Sequence, residues 1–229
     1  MSGIETIGVA AFGGLVPSLV WLAFWLLEDR CQPEPKLRIL LTFIAGAAAV
    51  GLVLPLEYWA MSYVSGVTLL LLWAFLEESL KLLAAVVFGL SSKSYDEPVD
   101  AVIYLVTAAL GFSAAENALF LFTGPLQHGT LSSGLLLGSE RFIGASLLHI
   151  LSSATIGLFI AFAYYKNHVT RFDFLAIGLI LATLLHAVFN FLILQAGAWA
   201  FSVFVSLWGA IIVVLFLVER IKDPVRDYC

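Results

Sequence analysis

Charged residues are scarce in this chain of 229 residues: Asp, Glu, Lys and Arg make up 12% of it, about half the roughly 25% of a soluble domain, which excludes a water-soluble globular fold. Cysteine is almost absent, and the two present, Cys31 and Cys229, make neither a disulfide framework nor a CxxC metal motif. The net charge of -5 is spread over short connecting segments rather than one broad face, so there is no nucleic-acid footprint. The N-terminus has no basic flank or small-residue cleavage site of the signal-peptide kind, so Thr6 to Leu27 is expected to remain as a span. Familiar hydrolase signatures are also missing: no HExxH, no GxSxG and no GxGD occurs.

What fills the chain is hydrocarbon. Hydrophobic residues are 62% and the mean hydropathy is +1.03, the composition of an integral membrane protein. Crossing about 30 Å of hydrocarbon takes about 20 helical residues, and seven stretches qualify: 5 to 27, 39 to 56, 61 to 90, 101 to 123, 141 to 165, 173 to 194 and 197 to 219. Only closed backbone hydrogen bonding is tolerated in lipid. The expected fold is therefore an all-α polytopic transmembrane bundle of about seven spans, one integral membrane domain over residues 1–229. Basic residues alternate with the spans. Arg30, Lys36, Arg38, Lys93, Lys166, Arg171, Arg220, Lys222 and Arg226 fall on one side, and Arg141 alone on the other. By the positive-inside rule the N-terminus is outside and the C-terminus cytoplasmic.

Ionisable residues within spans are few: Glu77, Glu78 and Lys81 in the third, Glu116 in the fourth, His149 in the fifth and His186 in the sixth. Each charged type costs on the order of 2.5 to 3.5 kcal/mol at a helix centre, so it is retained where it faces protein or water. Glu77 and Lys81 are i,i+4 and Glu78 and Lys81 are i,i+3, so the ammonium can reach either carboxylate. An ion cluster that merely glues helices would account for the lysine; it accounts poorly for two adjacent glutamates. The fourth span is lined with Ala, Gly and Ser around Glu116 and Asn117, thin enough for a neighbour to approach closely. His149 is followed by Ser153, and His186 by Asn190, each at i+4 on one helical face. Counted at 1.5 Å per residue, Glu116, His149 and His186 all fall in the middle to outer half of the bilayer.

Two histidines with glutamates can hold a zinc ion and leave a position for water, or can work without metal, a glutamate serving as general base and His and Asn stabilising an oxyanion. A serine route through Ser113 leaves the three glutamates unexplained. Four segments in order on successive spans, EESLK (Glu77 to Lys81), FSAAEN (Phe112 to Asn117), HILSS (His149 to Ser153) and HAVFN (His186 to Asn190), resemble the PrsW family of intramembrane proteases, in one superfamily with the type II CAAX prenyl endopeptidases and bacterial self-immunity proteins. The resemblance covers residues 60 to 195. It implies a multi-pass endopeptidase of a bacterial or archaeal plasma membrane that cuts a membrane-anchored protein, in the family prototype an anti-sigma factor, on the extracytoplasmic side. Carried over, Glu77 and Glu78 are the catalytic glutamate pair, His149 and His186 the essential histidines, and Glu116 a further acid. Lys81, Phe112, Asn117, Ser153 and Asn190 support them, Asn190 assisting His186, and a metal would be held through His149, His186, Glu78 and Glu116. Many members carry Asp where this chain has Asn190. A proton-coupled transporter would also keep buried ionisable residues, but it would show paired halves and interrupted helices. A non-catalytic scaffold of the same superfamily is the other alternative; it would tolerate loss of the first glutamates, and both are present.

Overall fold

The computed structural model describes residues 3–30, 32–124, 131–196 and 199–222, with no side-chain description for 3–4, 131–143 and 196. Cys31, Arg226 and Cys229 lie outside the described residues, as does the side chain of Arg141. Among the described residues seven α-helices follow one another: α1 (Gly3–Leu26), α2 (Lys36–Ala60), α3 (Gly66–Ala85) with a π turn (Val86–Leu90) at its end, α4 (Pro98–Thr123), α5 (Leu131–Phe162), α6 (His168–Ala196) and α7 (Ala200–Ile221). All but α3 are long and apolar enough to cross a membrane on length and composition alone. The remaining helix, α3, carries its charges inward: Glu77 is 8% exposed and Glu78 and Lys81 are fully buried, while Val67, Phe75, Leu83 and Val87 face out. A helix that is apolar outside and charged inside inverts the soluble pattern, which is how lipid selects a helix with a polar face.

Several helices run further than their apolar stretches. α2 continues to Ala60 and so takes in Glu57, and it holds Pro55 as α1 holds Pro17. α5 starts at Leu131, ten residues ahead of the expected span, because Ser132, Ser133, Ser139 and Glu140 depress hydropathy without breaking a helix. α3 begins after Ser65 with Gly66 at φ +60°, a conformation that glycine adopts without a Cβ penalty. α4 opens on Pro98 at its first position with a reciprocal capping box between Glu97 and Asp100, so the first turn satisfies its own orphan amides.

α4 is the axle. It packs against α1, α2 and α5, and 89% of its spanning window is buried, against 22% for α1 and for α7. Small residues make that possible where water-driven burial does not operate. A Cβ on Gly46 would stand 2.0 Å from the Ala108 carbonyl oxygen, and one on Gly111 2.0 Å from that of Phe43, so α2 and α4 meet backbone to backbone. α6 packs on α3 and α5, and α7 on α5. The C-terminal ends of α1 and α7 share one end of the bundle, where Lys222 donates to Glu28 Oε2 at 2.6 Å, as an odd number of crossings requires.

Candidate active site

Four consecutive helices deliver the polar residues to one place. On α3, Lys81 Nζ donates to Glu78 Oε1 at 2.6 Å and stands 3.8 Å from Glu77 Oε2. From α5, His149 offers Nδ1 to the same ammonium at 2.9 Å and pairs through Nε2 with Glu116 Oε2 of α4 at 3.0 Å. Ser153, one turn on, donates to Glu78 Oε2 at 3.1 Å. From α6, His186 Nδ1 meets Glu78 Oε1 at 2.7 Å. Phe112 forms the floor: the Lys81 ammonium sits 4.8 Å from its ring centroid and the His149 ring 5.4 Å from it, a cation–π contact strengthened by the burial of both groups.

The partners fix the tautomers. Glu78 accepts only, so His186 Nδ1 carries the proton and its Nε2 presents a lone pair; Lys81 donates only, so His149 Nδ1 accepts and its Nε2–H is given to Glu116. His186 Nε2 points toward Glu77 Oε2 at 3.8 Å, and His149 Nδ1 lies 3.9 Å from the same oxygen. That oxygen is buried with no hydrogen-bond partner, and a buried polar atom left bare costs about 1–3 kcal/mol unless something else occupies its lone pairs. Glu77, His149 and His186 each bring one ligating atom within 4.8 Å of the others. The acidic pair is thereby divided: Glu78 is held by Lys81, His186 and Ser153, while Glu77 keeps an uncommitted oxygen. Glu116, with its side chain 33% exposed, is the open edge of the group.

Two of the sequence candidates stand apart. Asn117 donates to Ser113 Oγ and Ser146 Oγ, both at 3.1 Å, and the two serines bond each other at 2.9 Å; this knot joins α4 to α5 and ties Ser113 away from both histidines. Asn190 shares the inward side of α6 but makes no hydrogen bond to His186, whose Nδ1 belongs to Glu78. Glu78 likewise is not among the three converging ligand atoms; Glu77 takes that place. A fourth acid joins them unannounced by any motif: the carboxyl of Glu57, near the end of α2, reaches hydrogen-bonding range of Glu77, with Glu116 and Lys81 its next charged neighbours. Its only sequence signal is an acid less than one turn beyond an apolar stretch.

Carboxylates and imidazoles gathered by four helices at the heart of a membrane-spanning bundle are the equipment of an intramembrane peptidase, a hydrolase that works within the bilayer. A model of the PrsW family, described as intramembrane metalloproteases, matches residues 34–219, and the chain belongs to that family. It is 27% identical over 195 residues to Protease PrsW of Clostridioides difficile, covering 81% of this chain and 79% of that protein. With Protease PrsW of Bacillus subtilis it shares 24% over 199 residues (82% and 84%), and with that of Geobacillus kaustophilus 25% over 209 residues (86% of each). No solved structure matches the chain.

Proposed function

We propose that this protease hydrolyses a peptide bond in a membrane-anchored protein, of which an anti-sigma factor is the kind that the family resemblance implies, with Glu77, His149 and His186 as the reacting set. The observation that carries the reading is Glu77 Oε2, buried without a hydrogen bond between one imidazole nitrogen at 3.8 Å and another at 3.9 Å, with the Lys81 ammonium also at 3.8 Å. A carboxylate with a free oxygen can take the proton of an attacking water, a contribution of about 10²–10⁴ in rate. Glu78, fully engaged, is the positioning residue that sets the tautomer of His186. Glu77 can then return the water's proton to the leaving amine, while Glu116 accepts the His149 Nε2–H and holds that ring in place.

The same donor set suits zinc: two imidazoles and a carboxylate leave a fourth position open. Donors around a tetrahedral zinc lie about 3.4 Å apart for bonds of about 2.1 Å, so the observed separations exceed a bound geometry by about half an ångström. Glu77, His149 and His186 would hold the ion, His149 giving up its bond to Lys81. When bound, zinc supplies Lewis acidity and a water that ionises near neutral pH. The position of Lys81, 2.9 Å from His149 Nδ1, favours a second reading in which the ammonium is the resident cation of a metal-free glutamic mechanism.

Co-expression with a single-span substrate tests the assignment. Glu77→Gln, His149→Ala and His186→Ala are expected to abolish cleavage while the protein still accumulates in membranes; wild-type cleavage by all three would refute it. Activity lost on exhaustive chelation and restored by zinc supports the metal reading, whereas full activity with no metal by elemental analysis supports the role of Lys81.

A further inference from the structure

A second set of acids lies at the other level of the bundle, where the α1–α2 and α3–α4 connections meet. Asp29 and Glu34 come from the first connection, and Glu97 and Asp100 from the start of α4; all four are buried, Asp100 to 1% exposure. One carboxylate oxygen each from Asp29, Glu97 and Asp100 lies within 4.8 Å of the others. Glu116 is about four and a half turns further along α4, about 24 Å away, so this group is separate from the active site.

Helix capping explains part of it. Glu97 and Asp100 form the capping box, and Asp100 Oδ2 accepts from the amides of Asp96 at 3.0 Å and Glu97 at 2.7 Å. The Glu34 amide donates to Asp29 Oδ2 at 3.3 Å, and the Tyr104 hydroxyl donates to Glu34. Capping leaves Asp100 Oδ1 buried without a donor, and the Glu34 carboxyl comes within hydrogen-bonding range of the same side chain, so two acceptors face each other. It also leaves the charge unbalanced: among the described residues no lysine or arginine pairs with Asp29, Glu34 or Asp100, although Arg30, Lys36 and Lys93 are close in sequence and remain exposed. Asp29, Glu34 and Asp100 are buried together, so holding them ionised is costly without a counterion. An open cavity of about 310 Å³, lined by Gln32, Glu34, Ser94 and Asp96 among others, adjoins it and gives access from solvent.

We propose that Asp29, Glu97 and Asp100, with Glu34 beside them, bind a hard divalent cation of the Ca²⁺ or Mg²⁺ class, which ties the α1–α2 connection to the first turn of α4. Each of these four residues brings carboxylate oxygens, the donors that a hard divalent ion prefers. On the expected topology this end faces the cytoplasm, so the ion would come from there.

The test uses the full chain in detergent near neutral pH, stripped of metal and carrying Glu77→Gln and His186→Ala to disable the other site. Bound Mn²⁺ is counted by electron paramagnetic resonance, and the thermal midpoint is followed with Ca²⁺ and Mg²⁺ separately. One Mn²⁺ per chain and a saturable rise of several degrees are expected, with Asp29→Asn weakening the apparent affinity about tenfold or more. Asp100→Asn should do the same, but it alters the cap of α4; Asp29 caps no helix, and its asparagine still accepts the Glu34 amide, so that variant decides if Asp100→Asn does not fold. No saturable ion, equal affinity in Asp29→Asn, or stabilisation by acid alone with no ion bound would overturn the proposal, the last meaning that these carboxyls hold protons instead.

Discussion

Replacing Lys81 with Met keeps length and removes one charge, and the structure sets what should follow. The ammonium is fully buried and touches Glu78 Oε1 at 2.6 Å and His149 Nδ1 at 2.9 Å. Breaking a buried pair from one side costs about 3–5 kcal/mol because a charge is left uncompensated. Glu78 keeps two donors, His186 Nδ1 and Ser153 Oγ, which places Lys81→Met at the lower end, about 3 kcal/mol, a shift of more than a hundredfold in the folded-to-unfolded ratio. Glu78→Gln alone strands the ammonium and should cost a similar amount. The double variant removes both charges together, and its cost should fall short of the sum by about 2.5 kcal/mol. That figure allows for the i,i+3 attraction of about 0.3–0.5 kcal/mol that survives in a detergent-unfolded helix. Equilibrium unfolding of the four proteins in mixed micelles, followed by tryptophan fluorescence, measures the cycle. If the costs add within about 0.5 kcal/mol, the pair does not share its burial and the reasoning fails.

Two glycines of α2 should behave oppositely: Gly46→Ala drives a methyl into the Ala108 carbonyl and should cost several kcal/mol or prevent folding, whereas Gly51→Ala, with nothing within 4 Å of its Cβ, should be neutral or gain up to about 1 kcal/mol; thermal midpoints decide. Ser153→Ala removes one of three donors to Glu78 and should destabilise by about 1.5–3 kcal/mol while cleavage, measured on the folded fraction, persists. Reporter fusions should find an N-terminal tag outside and a C-terminal tag in the cytoplasm; a C-terminal reporter active only outside would reverse the orientation.

Six of the seven described helices were legible because lipid permits one reading of a 20-residue apolar run, and the alternation of lysine and arginine is the pattern that seven crossings would leave. Their ends were less legible. Glu57 and Pro55 sit in the last two turns of α2, where hydropathy falls but backbone hydrogen bonds continue, so an acid in reach of Glu77 read as part of a loop. Within the site, the spacing of Glu77, Glu78 and Lys81 showed that the lysine could reach either glutamate and left the choice open. The choice is made by residues 68 and more positions away, His149, Ser153 and His186, whose contacts no local pattern encodes. Asn190 shows the converse: i,i+4 spacing placed it beside His186 on one face, but the imidazole turned to the stronger, charged acceptor. The acids around Asp29 escaped notice because each, taken singly, looks like an ordinary loop charge or helix cap.

The bond between Lys222 and Glu28 joins the end of the last helix to the end of the first, and Trp21 meets Trp208 between the same two helices with ring centroids 6.0 Å apart. A chain made from its N-terminus closes either contact only once α7 has left the ribosome. The proposed reacting set is likewise incomplete until α6 has brought His186 to it. The helices inserted before then enter the membrane without the side chains proposed to cut.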